Sequence, residues 1–159
     1  MTKPQKIPLF SRKTTLVFVF LCAVAVDLIS KFLVVEYSPK NVLYNSGVAF
    51  SMFSVSEVVP KMMMFVSVAV GIIGLIIAVV KRAQMITTCR LGVLLIASGA
   101  FANGVDRCFN MLHNVRAGTS VTDFINYSGL FTGNVADVFV VLGSIVLAVS
   151  MVLETKSSR

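Results

Sequence analysis

The chain has 159 residues, 57% of them apolar and only 13% charged, with a formal net charge of +7. A soluble domain carries roughly 45–50% apolar residues even when Gly is counted, and so few charges would not coat a globule of this size. The composition excludes an ordinary soluble domain and describes an integral membrane protein, whose Lys and Arg, grouped at the ends of apolar runs, speak for topology rather than for a nucleic-acid partner.

The first apolar run, 14–35, follows Lys3, Lys6, Arg12 and Lys13. It is near the ~20 residues that cross a bilayer as helix. The small-x-small triplet Ala23-Val24-Ala25 has the form of a signal-peptide cleavage site. Apolar residues nevertheless resume after Asp27 and continue to Val35, which favours a retained helix if Asp27 and Lys31 are accommodated. Those two lie four apart and share a helix face, so they can neutralise each other. The residues alone leave open whether the pair only packs helices or acts directly.

The loop 36–61 contains a period-2 pattern over 41–53. Val42, Tyr44, Val48, Phe50 and Met52 share one parity, and Asn41, Asn45, Gly47 and Ser51 the other. This alternation predicts a half-buried β element on the membrane surface. The second run, 62–80, has no ionisable residue, and Gly71 and Gly74 let another helix approach it.

The third run, 91–105, is shorter and richer in small residues. It reaches full length, 91–109, only by passing Asp106 and Arg107, so it is expected inside the bundle. Asn103 and Arg107 lie four apart with Gly99 one turn earlier, a close-packing stripe with a hydrogen-bonding head. Asp106 could simply pair with an Arg. In the loop 110–134 a short surface helix is expected around 108–115, and the lone His113 reads as a surface residue. Cys22, Cys89 and Cys108 have neither disulfide nor metal-ligand spacing, and no metal site or cofactor is expected.

The fourth run, 135–153, opens with Asn134 and Asp137, three apart and so on one face. Asp123 precedes Asp137 with thirteen residues between them, few enough to fold back and bring two carboxylates together. A charge at mid-bilayer costs at least ~2.5–3.5 kcal/mol on insertion scales, so each ionisable residue at a span is a functional candidate. Two surface Asp residues are, however, more often solvated than catalytic.

Nine of the 14 Lys and Arg fall in the N-terminal flank, the 81–90 loop and the tail. The positive-inside rule then predicts both termini in the cytoplasm and the loops 36–61 and 110–134 outside. The expected fold is an all-α polytopic membrane protein: one domain of four transmembrane helices (14–35, 62–80, 91–109, 135–153), with a small extracytoplasmic β element and a short outer-surface helix.

Five segments in order, "DLISK" (27–31), "NSGVAF" (45–50), "SGAFANGVDR" (98–107), "VTDF" (121–124) and "NVAD" (134–137), resemble the successive motifs of the lipoprotein signal peptidases, or signal peptidase II, bacterial inner-membrane aspartyl proteases. The resemblance covers nearly the whole chain. Small residues differ at Ser98 and Ala102, Gly133 stands where the family commonly has an aromatic, and the usual Trp and Pro between the two Asp residues are missing.

The resemblance implies that Asp123 and Asp137 are a catalytic dyad. Asn45, Gly47, Asn103, Arg107 and Asn134 would be supporting or substrate-binding groups, and Asp27 and Lys31 mainly a structural ion pair. It also implies cleavage of diacylglyceryl-modified prolipoproteins before the lipidated Cys, in contact with membrane lipids and with the active site near the outer leaflet; a monomer is expected, though the residues do not fix self-association. Apart from the resemblance, the main rival is a small proton-coupled carrier, which would need polar groups linking both membrane faces. A membrane scaffold is the third reading, and it makes the Asp residues dispensable.

Overall fold

A computed structural model describes residues 13–46, 58–113 and 118–157, with side chains through residue 153. Four helices carry the chain: α1 Lys13–Tyr37, α2 Val58–Val80, α3 Thr87–Leu112 and α4 Val135–Ser157. All four are long and apolar enough to cross a membrane. Their exposed surface is rich in Phe, Leu, Ile and Val, among them Phe18, Phe32, Phe65 and Ile73. That distribution is unfavourable in water and suits a lipid environment.

Two helices start earlier than their apolar runs suggest. In α2, Pro60 and Lys61 lie in the first turn, where a missing N–H costs no intrahelical hydrogen bond. Arg90, read above as a loop charge, lies inside α3, buried, and its Nη2 donates to Thr87 Oγ1 at 2.9 Å. At the other end, Cys108–Leu112 of the expected surface helix continues α3 without a break, and residues 114–115 lie outside the described residues. His113 is exposed against Phe109.

Helix α3 is the hub, and small residues let its neighbours come close. A Cβ at Gly143 of α4 would lie 2.7 Å from the Gly92 carbonyl oxygen. One at Gly99 would meet the Ala136 carbonyl oxygen and lie 2.9 Å from Val140 Cγ2, so the Gly99 face of α3 carries the start of α4. Leu16, Phe20, Val24, Leu94, Ala97 and Ala102 form one buried core with Ala78 of α2 and Ala136 of α4.

At one end of the bundle lie two short antiparallel β pairs. β1, Leu43–Asn45, pairs with β2, Val121–Asp123, in the register Leu43↔Asp123, Tyr44↔Thr122, Asn45↔Val121. β3, Ile125–Asn126, pairs with β4, Thr132–Gly133. Ser128 and Gly129 both have positive φ, 54° and 79°, the conformation a tight hairpin turn demands, and Gly129 N donates to Asn126 Oδ1 at 2.7 Å. The expected alternation holds at Tyr44 and Asn45, which point to opposite sides of the ribbon; residues 47–53 lie outside the described residues.

Candidate active site

The start of α4 is built by its own sequence. Asn134 is the N-cap: its Oδ1 accepts from the Asp137 backbone N–H at 3.0 Å, and Asp137 Oδ2 accepts from the Asn134 backbone N–H at 3.1 Å. This is a reciprocal capping arrangement with Asp in the Glu position. It satisfies two groups that a helix start leaves unpaired, and it places a carboxylate at the positive end of the helix dipole.

Capping uses only one side of each residue. Because Asn134 Oδ1 is committed to the helix, its Nδ2 faces outward and donates to Asp123 Oδ1 at 2.7 Å. One Asn side chain therefore contacts both acidic residues. Asn103 Nδ2 donates to the remaining Asp137 oxygen, Oδ1, at 3.0 Å, and Asn45 Nδ2 donates to Asp123 Oδ2 at 3.1 Å. The ribbon brings Asn45 and Asp123 together across β1 and β2, and Phe124 N donates to Gly133 O at 2.8 Å, which returns the chain to the start of α4.

Asp123 and Asp137 line a single cavity of about 440 Å³ together with Asn45, Asn103, Arg107 and Asn134. Its other walls are mostly apolar, including Met63, Phe131, Val140 and Val141, with Ser67 and Thr132 among them. Asp123 is 2% exposed, and its pKa is raised from 3.8 to about 6. Burial is the largest cause; the Asn45 hydrogen bond opposes it, the nearby charge of Asp137 adds to it, and Asn134 and Lys31 oppose it more weakly.

Arg107 braces the loops. Its Nη1 donates to the carbonyl oxygens of Thr119 at 3.3 Å and Asn45 at 3.5 Å, tying α3 to the approach to β2 and to the end of β1. Among the described residues Asp106 forms its ion pair with Lys31 and not with an Arg, the simplest expectation for it. It takes Lys31 Nζ at 3.1 Å, while Lys31 also meets Asp27 Oδ2 at 2.8 Å. Lys31 therefore reaches beyond its helical partner, and Nζ further donates to Asn103 Oδ1 at 2.8 Å.

Six of the proposed polar site residues thus converge on one end of the bundle: Asp123, Asp137, Asn45, Asn103, Arg107 and Asn134. Gly47 lies outside the described residues. Asn110 and Thr122, which sequence reasoning passed over, hold Asp106: Thr122 N donates to Oδ2 at 2.7 Å, and Asn110 Nδ2 donates to Oδ1 at 3.1 Å. Asn110 was findable, since it extends the Asn103–Asp106 face of α3 by one more turn. Thr122 carried no such signal, because its role depends on strand pairing. Among the described residues no cluster of His, Cys, Asp and Glu could hold a metal ion.

Four helices able to span a membrane, with two carboxylates on the wall of one cavity at an end of the bundle, define a polytopic membrane protein with a polar site at one end. Residues 19–153 match the family described as signal peptidase (SPase) II, and the chain belongs to that family of peptidases. It is 34% identical over 121 residues to a lipoprotein signal peptidase of Clostridium novyi, covering 73% of this chain and 74% of that protein. With a lipoprotein signal peptidase of Borrelia garinii subsp. bavariensis it shares 29% identity over 156 residues, 84% of this chain and 87% of the relative. The fold is similar to that of a bacterial membrane enzyme solved by the in meso method at 2.3 Å, with a TM-score of 0.69, 18% identity and 92% of each chain covered.

Proposed function

We propose that this chain is an aspartic endopeptidase that removes signal peptides from diacylglyceryl-modified prolipoproteins, cleaving before the lipidated Cys. Family membership supports the removal of lipoprotein signal peptides. The aspartic mechanism rests chiefly on one observation: the Asn134 side chain and backbone bind Asp123 and Asp137 together, on the wall of one cavity.

Two carboxylates lining one cavity disfavour each other's ionisation, and burial raises the pKa of Asp123 to about 6, so the active form is the one in which the pair shares one proton. One carboxylate then takes a proton from water as the oxygen attacks the scissile carbonyl, while the protonated partner donates to the carbonyl oxygen. The tetrahedral diol collapses as the leaving nitrogen is protonated, and the dyad regains its starting state. Asn45, Asn103 and Asn134 hold the carboxylates through amide donors. Met63, Phe131, Val140 and Val141 would line the path of an extended apolar peptide. Charge distribution favours a cavity on the non-cytoplasmic side with both termini cytoplasmic, where a substrate's acyl chains would lie in the outer leaflet.

A carrier is less well supported, because the acidic groups that line the cavity gather at one end of the bundle rather than linking both ends. The test is cleavage of a purified diacylglyceryl prolipoprotein by wild type, Asp123→Asn and Asp137→Asn. Each variant should lose about 10³-fold or more in kcat, at the upper part of what acid–base catalysis contributes. A folded variant with the wild-type rate would overturn the dyad. Equal rates on the unlipidated precursor would remove lipid recognition from the proposal.

A further inference from the structure

The ion pair on α1 has more partners than helix packing requires. Lys31 is 3% exposed, and its Nζ meets three acceptors: Asp27 Oδ2 at 2.8 Å, Asn103 Oδ1 at 2.8 Å and Asp106 Oδ2 at 3.1 Å. An ammonium has three donors and no acceptor; here it donates to Asn103 and forms ion pairs with both carboxylates. Asp27 and Lys31 belong to the same helix, so their mutual contact links nothing to anything else. The links between elements come from their other contacts, and each one ends beside a cavity carboxylate.

Asp27 Oδ1 accepts from the Ala136 backbone N–H at 2.7 Å, one residue before Asp137. Asp106 accepts from Thr122 N at 2.7 Å and Thr122 Oγ1 at 3.1 Å, one residue before Asp123. Asn103 Nδ2 donates to Asp137 Oδ1 itself at 3.0 Å. The last link has a direction. A side-chain amide presents oxygen on one side and NH₂ on the other, and a donor-only ammonium accepts only the oxygen side. The reversed amide would set NH₂ against the ammonium and oxygen against the carboxylate, two repulsive contacts in place of two bonds.

We propose that Lys31 is a positioning residue for peptide cleavage: it fixes the Asn103 amide as a donor to Asp137 and, through Asp27 and Asp106, holds the backbone on which Asp137 and Asp123 sit. Lys31 is not among the residues lining the cavity, so it acts through these neighbours rather than on substrate. The inference rests on the dyad reading given above.

The test uses the full-length membrane protein and a diacylglyceryl precursor, with Asp123→Asn and Asp137→Asn run alongside. Lys31→Met removes the cation. Asp27→Asn/Lys31→Gln removes the cation and puts in its place an amide that can accept as well as donate, while leaving the formal net charge of positions 27, 31 and 106 at about −1, so it avoids stranding an extra buried charge. Lys31→Arg keeps a donor-only cation. Folded fraction, melting temperature, kcat, KM and the pH profile are measured for each.

Both non-cationic variants should lose about 100-fold in kcat per folded enzyme, the scale of a 1 Å misplacement, with KM within about threefold. Charged or titratable groups around Lys31 are Asp27 of α1 and Asp106 of α3; beyond Asn103 and Thr122 lie Asp137 of α4 and Asp123 of β2, with Arg107 on α3. Losing the cation from this set raises proton affinity, so Lys31→Met should move both limbs of the pH–rate profile to higher pH by about one pH unit. Lys31→Arg should recover at least tenfold of the rate and leave the profile near wild type.

Loss of folded protein alone lowers the rate without moving the profile or the rate per folded enzyme. That pattern, or a folded variant with wild-type kcat and profile, overturns the positioning role. If Lys31→Met does not fold, the charge-balanced and Arg variants decide the matter. If both Asp→Asn variants are inactive while the Lys31 variants match wild type, positioning fails and the dyad stands; activity in the Asp→Asn variants removes the dyad itself.

Discussion

Helices α2 and α3 are of similar length and run side by side, yet they solve different problems. In α3, 44% of the most apolar 18-residue stretch is buried, against 17% in α2. Correspondingly, α3 carries Ser98, Asn103, Asp106, Arg107 and Asn110, all but Asn103 buried against protein, while α2 shows Phe65, Ile72, Ile73 and Ile76 to the surroundings. A polar group in hydrocarbon costs several kcal/mol unless it is paired. Polarity is thus carried by the helix whose solvent is other protein, and apolarity by the helix whose solvent is lipid.

That contrast predicts a steep gradient of mutational effects. The largest, after substitution of Asp123 or Asp137, belongs to Asn103→Leu. It removes the donor to Asp137 Oδ1 and the acceptor for Lys31 in one step. Precursor cleavage should fall by about 10²–10³-fold, comparable to losing a preorganised polar group at a reacting centre, and thermal stability should fall by about 1–3 kcal/mol from the stranded Lys31 donor. Cleavage within threefold of wild type would show that the polar face of α3 serves packing alone.

Next comes Gly133→Ala, at the approach to α4. A Cβ there would lie 2.8 Å from Asp137 Oδ2 and 3.5 Å from Tyr127 Cε2. The carboxylate must move or lose its bond from Asn134 N, so kcat should drop about tenfold to 100-fold with little change in melting temperature. The stacked rings of Tyr127 and Phe131, centroids 4.4 Å apart, bring aromatic surface to Gly133 from the β3–β4 hairpin. An unchanged kcat in a folded Ala variant would detach this glycine from the site.

These two positions also mark how far the sequence could be read. The helices were legible because a 3.6-residue period and a span of ~20 apolar residues are local properties. The Asn134–Asp137 pair was legible for the same reason, since capping is set within one turn. Lys31 was read only as the partner of Asp27, because i,i+4 spacing reveals same-helix neighbours and is blind to Asn103, 72 positions away. The pairing of Asn45 with Asp123 and the part played by Thr122 depend on strand register between segments 78 residues apart, which no local pattern encodes. Motif order supplied the grouping of these residues; the contacts that explain it come from the fold.

A smaller effect separates function from stability within the site. The folded pKa of Asp123 is raised to about 6 from 3.8, so the folded state binds its proton more tightly than the unfolded chain does. The stabilisation is fully present below pH 3.8 and is lost as pH rises through about 6. Asp123→Asn cannot lose a proton there. Its melting temperature relative to wild type should therefore rise between about pH 4 and pH 7, by on the order of 1–3 kcal/mol in stability, since a tenfold change in proton affinity corresponds to about 1.4 kcal/mol. A difference that stays flat across that range would mean that Asp123 is not buried as a strained acid.

The least effect is expected on the lipid face of α2, where Ile73 is 56% exposed. Ile73→Leu keeps apolar volume and changes only the branch point, so stability should move by less than about 0.5 kcal/mol and cleavage not at all. Ile73→Asn is the sharper version: the same position, made polar, faces hydrocarbon with no partner and should cost about 1–3 kcal/mol without altering kcat per folded enzyme. Asn is tolerated at 103 and penalised at 73 for one physical reason. At 103, Lys31 and Asp137 replace the hydrogen bonds that water would supply, whereas the surroundings of residue 73 offer none. Equal tolerance of Asn at both positions, measured by melting temperature in the same lipid, would mean that α2 faces a hydrated surface and that the contrast between the two helices is not a contrast of solvents.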